Sequence, residues 1–248
     1  MLELAKTNEY ERIIVDCAPT GETLSLLKFP ELMCWYMEKF FPIGKLAIRV
    51  MSPFSKKLFQ VQLPDRKAMN EIEELYLKFI ELQELLKDKE TTTIRLVTLP
   101  EMMVVEETKR NFMYMNLYNY QVDGLYINRI LPDEVQNEFF SEWMNLQKHY
   151  IEELQNSIRE LPITYIPWYD VELQGLEAID RLVNEVLVED DIFNIRTDRV
   201  GEKYKKTKNG YELSVYLPNV NKSDIELHEV KNELIIRIGN VKRNIGLP

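Results

Sequence analysis

The sequence predicts an α/β protein: a partial parallel sheet covered by helices, with a helical insert, followed by a small antiparallel β-sandwich-like module. Three observations carry this. Short runs rich in β-branched residues alternate with amphipathic stretches through the middle of the chain, the rhythm of strand–helix–strand crossovers. A long helical region, about 30–90, separates the first such run from the rest. Beyond residue 200 the apolar period changes from helical to two, as in strands with one buried face.

The first run is RIIVDCA, from Arg12 to Ala18. Its β-branched residues predict a strand buried on both faces, as in a parallel sheet. Proline and glycine then break the run, and ETLSLLKF resumes with helical spacing. In DRKAMNEIEELYLKFIELQELLKDK the apolar residues Met69, Ile72, Leu75, Leu77, Phe79, Ile80, Leu82 and Leu85 sit among acids that precede the terminal lysines. That charge bias and stripe suit an amphipathic helix. Next come TTTIRLVTL (strand), PEMMVVEETKRNFMYMNLY (helix), VDGLYINRI (strand), PDEVQNEFFSEWMNLQKHYIEELQNSI (helix), PITYIPW (strand) and GLEAIDRLVNEVL (helix). Periodicity lapses around 189–199, and YELSVYLP, DIELHEV, ELIIRIG and KRNIGLP follow as short strands. The expected domains are therefore 1–190 with its insert, a linker over 191–200, and a module over 201–248. Charge separates them as well: nine basic and six acidic residues in 201–248 give +3, against 22 and 35 before it, giving −13.

Composition narrows the function classes. At 45% hydrophobic and 29% charged the chain is ordinary for a globular protein. Its net charge of −10 argues against nucleic acid as a partner, since such affinity comes from neutralising phosphates. No stretch reaches the roughly 18 apolar residues of a membrane span, so an integral membrane protein is not expected. The N-terminus has no signal-peptide apolar core, and a cytoplasmic location is expected. Cys17 and Cys34 lack metal-ligand spacing and read as two buried free thiols. His149 and His228 stand alone and read as structural or exposed.

The chemistry begins with Asp16, at the end of the first apolar run. An acid there lies where open α/β sheets bind ligands, and in phosphate-transfer enzymes it holds Mg²⁺ through the metal's waters. The continuation IIVDCAPTGETLSLL closely resembles the switch II segment of the ArsA family, a deviant Walker P-loop ATPase family with the pattern D-T-A-P-T-G-H-T-L-R. Asp16, Ala18, Pro19, Thr20, Gly21, Thr23 and Leu24 match in register, while Cys17, Glu22 and Ser25 depart from it. The resemblance implies a P-loop NTPase-type domain that uses ATP and Mg²⁺. In it Asp16 is the magnesium-linked aspartate, and Thr20 and Gly21 lie in the loop that responds to the γ-phosphate.

Later segments resemble the same family in the same order. PEMMVVEETKR matches E-x-x-x-x-x-E-T-x-R at Glu101, Glu107, Thr108 and Arg110, which implies Glu101 near nucleotide at a dimer interface. YINRIL is similar to the strand end whose asparagine amide reads adenine, here Asn128; an amide offers a donor and an acceptor together. IPWYDVELQGLEAI resembles P-L-x-x-E-V-x-G-L, whose proline and next residue pack on the base, here Pro167 and Trp168. The last strands, with KSDIEL and NELIIR between two LP pairs, resemble the α-crystallin/small heat-shock-like module of some ArsA-family proteins, a type that mediates protein contacts.

A phosphate-binding loop needs GxxxxGK[ST], and none of the eight glycines falls in that pattern. The family places this loop before switch II. The expectation is a chain inactive alone, needing a complementing N-terminal ATPase half or a homodimer, and serving arsenite export through a membrane pump subunit or membrane-protein targeting. The insert, with Met33, Trp35, Tyr36, Met37, Phe40, Phe41, Met51, Phe54 and Phe59, reads as core and dimer packing or as a groove for a hydrophobic client helix. The alternative is a non-catalytic, chaperone-like protein holding hydrophobic clients or a partner subunit.

Overall fold

A computed structural model describes residues 1–7, 9–17, 24–40, 66–135, 137–187, 193–195, 201–208 and 210–247. The chain divides into two compact units, Met1–Thr91 and Thr92–Pro248. Thr20, Gly21, the linker ends and residues 41–65 of the insert lie outside the described residues.

The first unit contains α1 (Leu2–Thr7), α2 (24–40) and α3 (Arg66–Lys87). α3 turns one stripe inward through Met69, Ile72, Tyr76, Phe79, Gln83 and Leu86, at the three- and four-residue spacing that keeps side chains on one helix face. Leu75 and Leu77, expected in that stripe, fall on the opposite side and are exposed. Phe79 meets Phe29 of α2 edge-on, centroids 5.4 Å apart. Lys87 Nζ lies 2.5 Å from Glu31 Oε2, and Lys6 pairs with Glu81.

The expected strand over 12–18 is not formed: residues 12–17 are coil, and Ile14 is 81% exposed. An apolar run becomes a strand only when a neighbour takes its N–H and C=O groups. Among the described residues no segment pairs with it. The same cause overturns the expectation of two buried thiols, since Cys34 is buried and Cys17 exposed.

The second unit bears out the α/β prediction. β1 (Ile94–Thr98), β2 (Val122–Ile130) and β3 (Ile163–Pro167) form a parallel sheet in the order β1-β2-β3. The connections are α4 (Met102–Leu117) and α5 (Glu138–Ser157), and α6 (Leu176–Val186) follows β3. Val105, Phe112 and Leu117 of α4 are fully buried with Leu125 and Ile127 of β2 and with Leu154 and Ile158 at the end of α5. β2 is the central strand and reads as a continuous buried run because both its faces are covered. At its start Asp123 is an extra residue in the ladder, since Ile94 pairs with Val122 but Arg95 with Gly124. Its buried carboxylate meets Arg95 Nε at 3.3 Å.

The C-terminal strands form two antiparallel sheets, β4 (Glu202–Thr207) with β5 (Gly210–Val215), and β6 (Ile225–Val230), β7 (Glu233–Ile238) and β8 (Val241–Gly246) in that order. β4 was not expected, because EKYKKT has little β-forming character. It is formed by antiparallel pairing with β5, from Glu202 opposite Val215 to Thr207 opposite Gly210. These strands attach at the N-terminal edge of the parallel sheet. Tyr118 Oη donates to Lys242 O at 2.9 Å, and Arg243 Nη1 donates to Leu117 O at 2.7 Å. Arg95 Nη2 donates to Asn194 O at 3.2 Å, fixing the preceding segment at the same edge.

Candidate nucleotide-binding edge

Each strand of the parallel sheet delivers an expected site residue at its C-terminal end, where α/β sheets present ligand crevices. Beyond β1, Leu99 and Pro100 lead to Glu101, which stands at the N-cap of α4 in extended conformation without a side-chain cap bond. The carboxylate is exposed. Behind it Thr108, about two turns into α4 and buried, donates to Val104 O at 2.7 Å. Its hydroxyl also lies 2.8 Å from that of Thr98, the buried last residue of β1. This hydroxyl pair ties the start of α4 to the strand end. Glu107 and Arg110 pair with each other along the same helix.

At the end of β2 the ladder to β3 slips. Ile127 pairs with Tyr165 but Ile130 with Pro167, so three steps on β2 face two on β3. The extra length is a bulge at Asn128 and Arg129. Arg129 has φ 57°, in the left-handed region, which costs a side-chain-bearing residue about 1 kcal/mol or more. Asn128 Oδ1 accepts from Arg129 N–H at 2.8 Å, so one acceptor position of the amide is engaged locally and its N–H₂ group stays outside that contact. Bulges of this type re-aim side chains and are frequent beside functional sites.

Past β3, Trp168 N donates to Ile130 O at 2.7 Å, holding the chain beside the bulge, and the indole is 53% exposed. The segment behind it is latched to α6. The Arg181 guanidinium sits 4.9 Å from the Tyr169 ring centre, 3.6 Å from Asp170 and 2.9 Å from Glu185. Asn128, Pro167 and Trp168 thus lie at the ends of two paired strands, with Glu101 beyond the neighbouring strand end: an exposed indole and an amide on one sheet edge. That donor set fits a flat heteroaromatic base.

Asp16 is exposed and belongs to the first unit. Among the described residues no group of three or more His, Cys, Asp or Glu side chains is arranged to hold a metal ion. Cys34 keeps its thiol pKa above the ordinary value through burial, with the carboxylates of Glu38 and Glu31 adding to the effect. That disfavours the thiolate a soft metalloid would need.

Sequence reasoning missed two features of this edge: the strained bulge at Arg129 and a buried glutamine, Gln147 of α5. Gln147 Oε1 accepts from Leu131 N–H at 2.7 Å, and its Nε2 donates to Leu131 O at 3.2 Å. A glutamine on an amphipathic helix gives no sign of this in sequence.

Residues 1–189 match the family profile described as anion-transporting ATPase. The chain belongs to that family. Residues 208–248 match the HSP20-like domain found in ArsA. A putative arsenical pump-driving ATPase of Aquifex aeolicus is 30% identical over 247 residues, covering 98% of this chain and 62% of the relative. One from Chlorobaculum tepidum is 28% identical over 242 residues, covering 96% and 60%. The Arabidopsis thaliana ATPase GET3A is 25% identical over 190 residues, covering 75% and 54%. The chain therefore spans about three fifths of the length of the arsenical-pump relatives it matches. No described helix is long and apolar enough to cross a membrane.

Proposed function

We propose that these residues form the base-reading edge and the magnesium-linked switch of an ATP-dependent ATPase that drives anion export or membrane-protein targeting. The reading rests on one observation. In a chain of this family, Asn128, Pro167 and Trp168 lie at the C-terminal ends of two paired strands of a parallel sheet, with Glu101 beyond the adjoining strand end. The Asn128 amide would pair with the base edge, while Pro167 and the Trp168 indole cover its face. Asp16 would hold the waters of Mg²⁺, which neutralises phosphate charge when bound. Thr20 and Gly21 would follow the γ-phosphate. Glu101 would approach nucleotide across a dimer interface.

Phosphate cradling requires converging backbone N–H groups, and the sequence has no GxxxxGK[ST] to supply them. The chain alone is therefore expected to bind adenine weakly and to show no ATP turnover. Adding a polypeptide that carries the loop should restore Mg²⁺-dependent hydrolysis, abolished by Asp16→Ala. Turnover by the chain alone that is lost in Asp16→Ala would sink the proposal.

A second reading, a chaperone-like holder of hydrophobic segments, is favoured by the exposed Leu26, Phe29, Leu32, Tyr36 and Phe40 along α2 together with the HSP20-like match. It expects binding of an apolar helical peptide that is indifferent to ATP, with or without the complementing polypeptide. The ATPase reading expects that binding to change with nucleotide once the phosphate loop is present.

A further inference from the structure

The bulge that aims Asn128 does not hold itself. Its left-handed Arg129 is strained, and a regular strand end would relieve that strain by rotating Asn128 to another direction, since one residue of register reverses every side chain. Two clamps hold the residues just after the bulge. Ile130 O accepts from Trp168 N–H. Both backbone groups of Leu131 are taken by the Gln147 amide, which is only 7% exposed. That is a two-point grip from a helix rooted in the core through Leu154. A primary amide matches a backbone N–H and C=O pair because it offers one acceptor and donors in a single plane. Removing it leaves two backbone groups without these partners at a partly buried position, and each such loss is comparable to the strain being restrained.

We propose that Gln147 is a positioning residue for base selection: by gripping Leu131 it locks the bulge at Asn128 and Arg129 so that the Asn128 amide meets adenine rather than guanine. The proposal rests on the base-reading function of Asn128 given above. Adenine and guanine differ at the edge an amide reads, with an amino donor in one and a carbonyl acceptor in the other. A fixed amide discriminates between them, and an amide free to reorient serves both.

The test is a titration of the full chain with adenosine and with guanosine, followed by backbone and side-chain amide NMR. Nucleosides make the measurement independent of the phosphate loop. The wild type is expected to prefer adenosine. In Gln147→Leu that preference should fall about tenfold, the worth of one well-aligned hydrogen bond, and Asn128→Ala should match it. Gln147→Glu keeps the acceptor for Leu131 N–H but loses the donor for its C=O when ionised. Its preference should be impaired at neutral pH and recover as acid protonates the carboxyl, an outcome that mere packing would not produce. If Gln147→Leu does not fold, Gln147→Glu carries the comparison. An undiminished preference in a folded Gln147 variant overturns the proposal. A wild type that binds neither nucleoside overturns the base-reading function instead. The positioning role is then judged from the Asn128 side-chain amide signals and Leu131 N–H exchange, which must move in the variants, and their constancy refutes it.

Discussion

At the scale of single residues, the unit that carries the parallel sheet depends on a few buried polar groups that sequence pattern does not reveal. Asp123 is fully buried at the start of β2, in the register slip opposite Arg95, whose guanidinium also reaches Asn194 O and Tyr126 Oη. In VDGLYINRI an acid at the second position looks like a strand-edge residue facing water. It is buried because the slip turns it inward, and because a side chain from the neighbouring strand offers a cation. Asp123→Ala removes the carboxylate and leaves the Arg95 guanidinium without it, a change that typically costs about 3 kcal/mol. The expected outcome is a lower urea midpoint at unchanged slope. Asp123→Asn should lose less, because it keeps a hydrogen-bond acceptor. A midpoint within error of wild type for Asp123→Ala would mean that the pair contributes nothing net. The strand ends that carry Asn128, Pro167 and Trp168 were legible in the sequence from their apolar runs, whereas the choice of these three residues came from the family resemblance. Gln147 was not legible, because its partner is backbone and backbone carries no sequence label.

At the scale of elements, legibility followed whether a segment's partner lies within the described chain. β2 was delimited from its apolar run alone, and α4, α5 and α6 emerged from period and breakers, because each packs on neighbours that the same pattern predicts. Residues 12–17 show the converse. Ile13, Ile14 and Val15 have strand character, but apolarity reports what could be buried and not what would bury it. β4 failed for the opposite reason: its lysines hide a strand that exists through pairing with β5. Turns set the remaining geometry. Gly239 joins β7 to β8 with φ 54°, and a Cβ there would meet nothing within 4 Å. Its requirement is therefore purely conformational, and Gly239→Ala should cost about 1 kcal/mol through the left-handed backbone alone. Thermal melts of the two proteins check this, and an equal or higher melting temperature for the variant would contradict it. Lys231, at φ 56° in the β6–β7 turn, is the same position occupied by a less suitable residue.

At the scale of the whole Thr92–Pro248 unit, the two ends of the parallel sheet have separate tasks. The candidate base edge lies at the C-terminal ends of the strands, and the HSP20-like strands attach at the N-terminal ends, a β2 length of about 26 Å away. The attachment depends on Arg243, 6% exposed on β8. Its Nη1 donates to Leu117 O, the last carbonyl of α4, where a cation complements the helix dipole. The same nitrogen lies 2.7 Å from Glu202 Oε2 of β4, a charge contact rather than an aligned hydrogen bond. One side chain therefore joins α4 to both antiparallel sheets. Arg243→Met keeps the length and removes the charge, leaving Glu202 buried opposite an apolar chain. A loss of about 3 kcal/mol is expected. Because the contact is also the mechanical link, amide exchange in β7 and β8 should accelerate while exchange in β2 changes little. Adding Glu202→Gln should recover part of the loss, with a double-mutant coupling of about 1 kcal/mol or more. Uniform acceleration across β2, β7 and β8 would instead make Arg243 an ordinary stabiliser of one cooperative block. Additive single effects would show that the Glu202 contact carries no energy of its own, leaving the helix cap and the Tyr118–Lys242 bond as the link.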